Sequence, residues 1–201
     1  MNQSHDASIG QRLSFLGIDD EVRATLRSIW PQIQKALPTI LDAFYQRAGT
    51  YGELRDRIRS QESRLKSAQS SHWQQLFSGQ FDYQYYESVK RIGLAHVKIG
   101  LEPRWYIGGY AFIQDQLLDL IGRMHRFNGP KAARVGRHVM KAIMLDMELA
   151  ISVYNEKLMG DLNAKNECVS AAVREFDDVM RAALNEVGVA AKTLDQTADV
   201  L

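Results

Sequence analysis

The segment from Lys131 to Leu201 contains no proline, and apolar residues recur along it at alternating spacings of four and three. This spacing is that of a heptad seam, so it predicts a coiled coil. An extra four-residue step at Leu158 predicts a local unwinding of the supercoil. The seam positions are Met144, Met147, Ile151, Tyr154, Leu158, Leu162, Lys165, Val169, Val173, Phe176, Met180, Ala183, Val187, Ala190, Leu194, Thr197 and Leu201. We therefore predict one domain over residues 1–158 and a coiled-coil linker over residues 159–201.

Helical periodicity also dominates the chain upstream of Lys131, and no segment alternates with the period of a strand. Asp19 or Asp20 suits the N-cap of a helix that reaches about Leu37, and Pro31 predicts a kink or break in it. Further helices are predicted over residues 33–48, 65–76, 83–99 and 103–124. The whole chain is therefore expected to be all-α.

Composition narrows the possible partners and the location. The 25 basic and 24 acidic residues leave a formal net charge of +1, which gives no electrostatic reason to expect nucleic acid or an anionic membrane as partner. The most apolar stretch, Ile107–Ile121, contains polar and charged residues and is too short to span a membrane. The single cysteine, Cys168, cannot form an internal disulfide, and the N-terminus lacks a signal-peptide pattern. These features predict a cytoplasmic protein.

His96 is the most informative polar residue, because it falls on an apolar helix stripe. Gly100 suits the C-cap of that helix, and Pro103 suits the first turn of the next. A lone imidazole that faces an apolar interior at a helix end is typical of an axial ligand to haem iron. The alternative is a core histidine that is hydrogen-bonded to a carbonyl group. The residues of the stripe are Val89, Ile92, His96 and Ile99.

The other histidines give weaker signals. No histidine pair has the i, i+4 spacing of a helical zinc site. We expect surface or packing roles for His5, His125 and His138. His72 is the rival of His96, because it follows Leu65 and Ala68 on one stripe. The sequence shows no catalytic constellation and no phosphate-binding loop of the GxxxxGK type, so we expect no enzymatic activity.

The segment from His96 to Tyr110, HVKIGLEPRWYIGGY, resembles the proximal region of the globin-coupled sensors, the oxygen-sensing globins of bacteria. Further fragments, in the same order, extend the resemblance over residues 10–158. These fragments are Phe15-Leu-Gly-Ile18, Phe44-Tyr45, Arg64-Leu-Lys66, His72-Trp73, Leu76-Phe-Ser-Gly79, Phe81-Asp82 and Ile92-Gly93. The resemblance implies a globin fold that lacks some helices of myoglobin and binds haem b.

The same resemblance assigns roles to individual residues. His96 is the implied iron ligand and His72 is not. Tyr45 is implied to donate a hydrogen bond to bound dioxygen, and Ala68 stands where some relatives have threonine or serine. Tyr106 is implied to pack near His96 and to tune its orientation and basicity. Simple aromatic packing is the alternative for Tyr106, and a buried ring with a solvated hydroxyl is the alternative for Tyr45. The predicted haem contacts are Phe44, Tyr45, Leu65, Ala68, Val89, Ile92, His96, Ile99 and Tyr106.

The resemblance further implies a haem-based sensor of O2 and other diatomic gases that signals through a homodimer. Residues 187–201, VGVAAKTLDQTADVL, are similar to the start of a chemotaxis-transducer signalling domain, so chemotaxis proteins are the expected partners and the output domain is expected to lie beyond Leu201. A diguanylate cyclase or a histidine kinase is the alternative output. A haem-free globin-like module that only mediates protein contacts is an alternative of another class, and a nitric oxide dioxygenase is a third.

Overall fold

The computed structural model describes residues 2–198 and the side chains of residues 9–190 and Lys192. The described residues form seven helices and no strand, which confirms the predicted all-α class. Within this part of the chain, no helix combines the length and apolar character needed to cross a membrane. The side chains of His5, Leu194, Thr197 and Leu201, which enter the predictions above, lie outside the described residues. The helices are α1 (Asn2–Leu16), α2 (Asp20–Ala48), α3 (Gly52–Ile58), α4 (Glu62–Ser78), α5 (Tyr83–Lys98), α6 (Pro103–Met124) and α7 (Gly129–Ala198).

Several helices begin where the sequence supplies a capping group. The Asp19 carboxylate accepts a hydrogen bond from the Val22 N–H at 2.9 Å, and the Asp82 carboxylate accepts one from the Tyr85 N–H at 2.9 Å. These aspartates satisfy backbone donors that have no partner within the helix. Pro103 lies in the first turn of α6, where its missing N–H costs nothing. The starts of α2 and α6 therefore fall where the sequence predicts them.

Helix α2 continues through both of its prolines, so a break at Pro31 is wrong, whereas the kink stays a prediction. Pro31 and Pro38 lie inside one helix of 29 residues. A proline in a helix interior costs about 3 kcal/mol or more, but burying each large aliphatic side chain contributes about 1.5–3 kcal/mol. The apolar stripe of α2 is long enough to outweigh two prolines. Its buried aliphatic residues are Val22, Leu26, Ile29, Ile33, Leu37, Ile40 and Leu41.

Helices α1 and α3 have no counterpart among the predicted helices. Among the described side chains of α1, only Ile9 and Leu13 are buried, and α3 has no buried residue. Neither helix carries the long apolar stripe on which the prediction depends.

The core forms where α2 packs against α4 and α6, while α1 packs against α5. Its most deeply buried large side chains include Phe77, Leu117 and Leu145. Among the described core residues, Asp146 of α7 is the one that carries a charge, and it has no exposed surface. A carboxylate at this depth requires hydrogen-bond or charge partners.

The chain divides after Tyr154 into two compact units. In the second unit the apolar seam is exposed: Val169 is 55% exposed, Val173 60% and Phe176 66%. Apolar side chains at heptad spacing are the surface that a partner helix covers in a coiled coil. The coiled coil and the domain boundary at Leu158 remain predictions.

Candidate functional site

A glycine cap holds His96 in the last turn of α5. Gly100 has a φ of +64°, a left-handed conformation that glycine adopts without a Cβ clash. The Gly100 N–H donates to the Val97 carbonyl and the Leu101 N–H donates to the His96 carbonyl, both at 2.9 Å. These two bonds form a Schellman motif. Gly100 thus ends the helix as predicted and fixes the backbone of His96.

The imidazole of His96 lies in a small, mostly apolar niche. The Tyr106 ring packs edge-on against it, with ring centroids 4.8 Å apart. The His96 Nδ1 atom is buried and finds no hydrogen-bond partner among the described residues. Beside the ring is a cavity of about 20 Å³, which is room for about one water molecule. Besides the rings of His96 and Tyr106, residues of α5, α6, α7 and the α5–α6 loop line the cavity, and they include Gly93, Leu101 and Tyr154.

This niche keeps His96 in the form that binds metal. Burial, and secondarily the charge of His72, lower the pKa of His96 to about 4, so its imidazole is neutral at pH 7. No group of three or more histidines, cysteines or acidic residues in the described part of the chain could hold a bare metal ion. A single neutral imidazole in apolar surroundings instead suits an iron whose other ligands come from a macrocycle. The residues fit haem chemically, but the small cavity requires neighbouring side chains to move.

Tyr45 is a second buried polar group, on α2. Burial raises the pKa of Tyr45 to about 12, so its hydroxyl keeps its proton and can donate a hydrogen bond. The Lys66 ammonium lies 5.8 Å from the centre of the Tyr45 ring. The neighbouring Phe44 reaches α6, where a Cβ on Gly109 would lie 3.3 Å from the Phe44 ring. Helix α6 therefore contacts both Phe44 and His96.

Helix α5 places Val89, Gly93 and His96 toward the interior. A Cβ on Gly93 would lie 3.2 Å from a side chain of α7, so the two helices approach closely. Val89 is buried and Ile92 is half-buried. Ile99 is the C-cap residue and is 51% exposed. The prediction that Ile99 continues the buried stripe is wrong, because the helix ends at that point.

Helix α4 differs from the prediction at one position. Leu65 and His72 are half-buried as expected, but Ala68 is exposed. Gln69 takes its place on the inner face, because the stripe continues by a step of four from Leu65 and then a step of three. The Gln69 Oε1 atom is buried and unpartnered within the described region. Gln69 is not among the predicted site residues.

The structure also contains a buried polar cluster that the sequence does not predict. Asp146 accepts hydrogen bonds from the His72 Nε2–H at 2.7 Å, from the Tyr110 hydroxyl at 2.5 Å and from the Tyr85 hydroxyl. We call these four residues the Asp146 cluster. It joins α4, α5, α6 and α7. The Tyr110 hydroxyl lies 3.2 Å from the Tyr106 hydroxyl, so the cluster extends to the ring that contacts His96.

Asp146 and His72 form a buried ion pair. Burial tends to raise the pKa of Asp146, but the charge and hydrogen bond of His72 outweigh it and hold that pKa below its usual value. Burial tends to lower the pKa of His72, but the Asp146 carboxylate leaves it raised. The alternative that the sequence left open for His96, a core histidine held by a hydrogen bond, therefore describes His72. A charged residue between Leu145 and Met147 on an apolar stripe was the available signal.

Comparison with known proteins establishes the family. Residues 5–159 match the profile of the Protoglobin family. The chain belongs to that family. Membership in a globin family implies that this protoglobin binds haem, and it confirms the resemblance to globin-coupled sensors.

One relative of this chain has a name that states its function. This protoglobin is 27% identical over 187 residues to the heme-based aerotactic transducer HemAT of Halobacterium salinarum. The match covers 86% of the chain but only 38% of that transducer. The activity and partners of the whole transducer therefore do not transfer directly.

Solved structures support the fold. The globin domain of a Geobacter sulfurreducens globin-coupled sensor superposes with a TM-score of 0.67 at 19% identity, over 72% of this chain and 96% of that domain. The ferric form I of the globin domain of E. coli DosC gives a TM-score of 0.61 at 17% identity, over 73% of this chain and 99% of that domain. The fold is therefore that of a sensor globin.

Proposed function

We propose that this protoglobin is the haem-based oxygen-sensing domain of a signal transducer. The observation that carries the proposal is the state of His96, a neutral imidazole whose buried Nδ1 has no partner among the described residues. Haem b, held without thioether links, would supply a ferrous iron that binds O2 and other diatomic gases. His96 would be its one protein ligand.

Tyr45 is proposed to favour O2 over carbon monoxide. Its buried phenol retains a proton, because its pKa is raised to about 12. A neutral hydrogen bond contributes about 0.5–1.5 kcal/mol net, and a donor gains more from a ligand that develops negative charge. Phe44, Leu65 and Val89 would supply apolar contacts to the macrocycle.

We further propose that the protein signals as a cytoplasmic homodimer and does not itself catalyse a reaction. The exposed apolar seam beyond Tyr154 supports a partner helix of the same sequence. The relative that is an aerotactic transducer favours a chemotaxis output over a diguanylate cyclase or a histidine kinase.

One observation favours a second candidate, a haem-free module that mediates protein contacts. The cavity beside His96 is only about 20 Å³, which admits about one water molecule. Haem binding requires this packing to open, whereas a haem-free module requires no change.

Reconstitution with haemin separates the two candidates. The full chain should bind one equivalent and give a Soret band. His96→Ala should lose the band and recover it with added imidazole, whereas His125→Ala, the same substitution at the end of α6, should match the wild type. If His96→Ala binds haemin like the wild type, His96 is not the ligand. If the wild type takes up no haemin, the haem-free module is the better account.

A further inference from the structure

The Asp146 cluster contains a defined order of hydrogen-bond donors. A carboxylate can only accept hydrogen bonds, so the hydroxyls of Tyr85 and Tyr110 must both donate to Asp146. Tyr85 bonds to Oδ1, whereas Tyr110 and His72 bond to Oδ2. The single hydroxyl proton of Tyr110 is therefore used in its hydrogen bond to Asp146.

The Tyr110–Asp146 hydrogen bond fixes which hydroxyl donates in the hydrogen bond between Tyr106 and Tyr110. The hydroxyls of Tyr106 and Tyr110 are 3.2 Å apart, and either could donate if each were considered alone. Because the Tyr110 proton already faces Asp146, Tyr106 must donate to Tyr110. The proton of Tyr106 thus points toward Tyr110, and the Tyr106 oxygen keeps lone pairs that can only accept.

His96 supplies the donor that this oxygen lacks. An imidazole that binds iron through Nε2 carries its remaining proton on Nδ1, and such a proton normally finds an acceptor. The Nδ1 of His96 is buried and has no acceptor within the described residues, although the Tyr106 ring lies against the imidazole at 4.8 Å between centroids. A hydrogen bond between the two groups requires Tyr106 or His96 to move until the phenol oxygen lies within reach of Nδ1.

We propose that Asp146 is a positioning residue for His96: acting through Tyr110, it presets Tyr106 as the hydrogen-bond acceptor for the His96 Nδ1–H. The proposal rests on the proposed role of His96 as haem ligand. The chain of donors runs from His96 through Tyr106 and Tyr110 to a buried negative charge. Such a chain strengthens the acceptor at each step and makes the axial imidazole a stronger electron donor.

Asp146→Asn reverses this polarity with little change in shape. The asparagine amide can donate to Tyr110, which is then free to donate to Tyr106, and Tyr106 is free to donate toward His96. Tyr110→Phe interrupts the same chain at its middle. Tyr85→Phe is the matched control, because it removes a hydrogen bond to the same carboxylate but lies off the path to His96.

Resonance Raman spectra of the ferrous haem complexes measure the iron–histidine stretching frequency. We expect a lower frequency in Asp146→Asn and in Tyr110→Phe, and the wild-type frequency in Tyr85→Phe. Far-UV circular dichroism selects the variants that fold. Equal shifts in Tyr85→Phe and Tyr110→Phe, or no shift in either path variant, overturn the proposal.

A haem-free measurement separates this inference from the proposed function. In the apoprotein, side-chain ¹⁵N NMR should show the His96 proton on Nδ1 in the wild type and in Tyr85→Phe. The Nε2–H tautomer should gain population in Asp146→Asn and Tyr110→Phe. If the wild type binds no haem, the proposed function fails while this tautomer test still decides the role of Asp146. If the His96 tautomer is unchanged in all variants, Asp146 does not position His96.

Discussion

Removing the His72 side chain should destabilise the globin unit more than any other single histidine substitution. In His72→Ala the Asp146 carboxylate keeps its two phenol donors but loses its positive partner, from which its Oδ2 is 2.7 Å away. Asp146 has no exposed surface, and a water molecule that entered the space left by the imidazole would carry no positive charge. The variant therefore leaves a buried charge without a counter-charge.

The magnitude follows from this geometry. Breaking a buried ion pair by removing one partner costs about 3–5 kcal/mol. The matched control is His138→Ala, because the His138 Nδ1 is hydrogen-bonded to the neutral Thr25 hydroxyl at 2.9 Å. Loss of a neutral hydrogen bond costs about 0.5–1.5 kcal/mol. The two variants should thus differ by at least about 1.5 kcal/mol.

The pH dependence has a definite sign. Because the pKa of His72 is raised in the folded state, His72 adds its full share to the free energy of unfolding below its unfolded pKa of 6.5. That share is lost as pH rises through the folded pKa. Because the pKa of Asp146 is lowered in the folded state, Asp146 adds its full share to the free energy of unfolding above its unfolded pKa of 3.8. That share is lost as pH falls through the folded pKa. The difference in free energy of unfolding between wild type and His72→Ala should therefore be largest between pH 3.8 and pH 6.5 and decline on either side.

Urea denaturation of the haem-free proteins, followed by far-UV circular dichroism across this pH range, measures these differences. Equal free energies of unfolding for His72→Ala and His138→Ala would show that the ion pair contributes nothing beyond a neutral hydrogen bond. A difference that grows steadily above pH 7 would contradict the assigned charges.

Three further predictions concern ligand binding, packing and assembly. Tyr45→Phe should speed oxygen release by about threefold to tenfold and leave carbon monoxide binding nearly unchanged in flash photolysis; equal effects on both gases would indicate a steric role. Gly93→Ala should destabilise the fold, because its Cβ would lie 3.2 Å from Val153 and overpacking costs about 1–3 kcal/mol. Gly122→Ala, which has open space around it, should instead stabilise by about 0.5–1 kcal/mol, so the same sign for both in thermal unfolding would refute the packing argument. Val173→Glu should weaken the dimer in sedimentation velocity, whereas Val179→Glu, also exposed on α7 but off the seam, should not; a dimer unaffected by both places the interface elsewhere.

Local signals explain which parts of the fold could be predicted. Asp19, Gly100 and Pro103 act on the backbone within a few residues, so their effect is visible in the sequence. Pro31 also acts locally, but the buried stripe of α2 overrides it, and that burial depends on the packing of α4 and α6. Helix α3 has no buried residue and so left no apolar pattern to find.

The candidate site likewise contains one residue that local sequence signals revealed and one that they did not. His96 was found because it interrupts an apolar stripe close to a glycine cap. Asp146 was missed because its partners His72, Tyr85 and Tyr110 lie on three other helices, at sequence separations of 74, 61 and 36 residues. Periodicity reports which face of a helix is buried, but it does not report which residues meet across the interior.

The visible spectrum of the purified full chain, reduced and then titrated with oxygen, tests the central claim most directly. Our account predicts a five-coordinate ferrous Soret band, because His96 is the one protein ligand, and a shift of this band that saturates with oxygen and reverses on its removal. A chain that takes up no haem, or a six-coordinate spectrum that oxygen does not change, would contradict it.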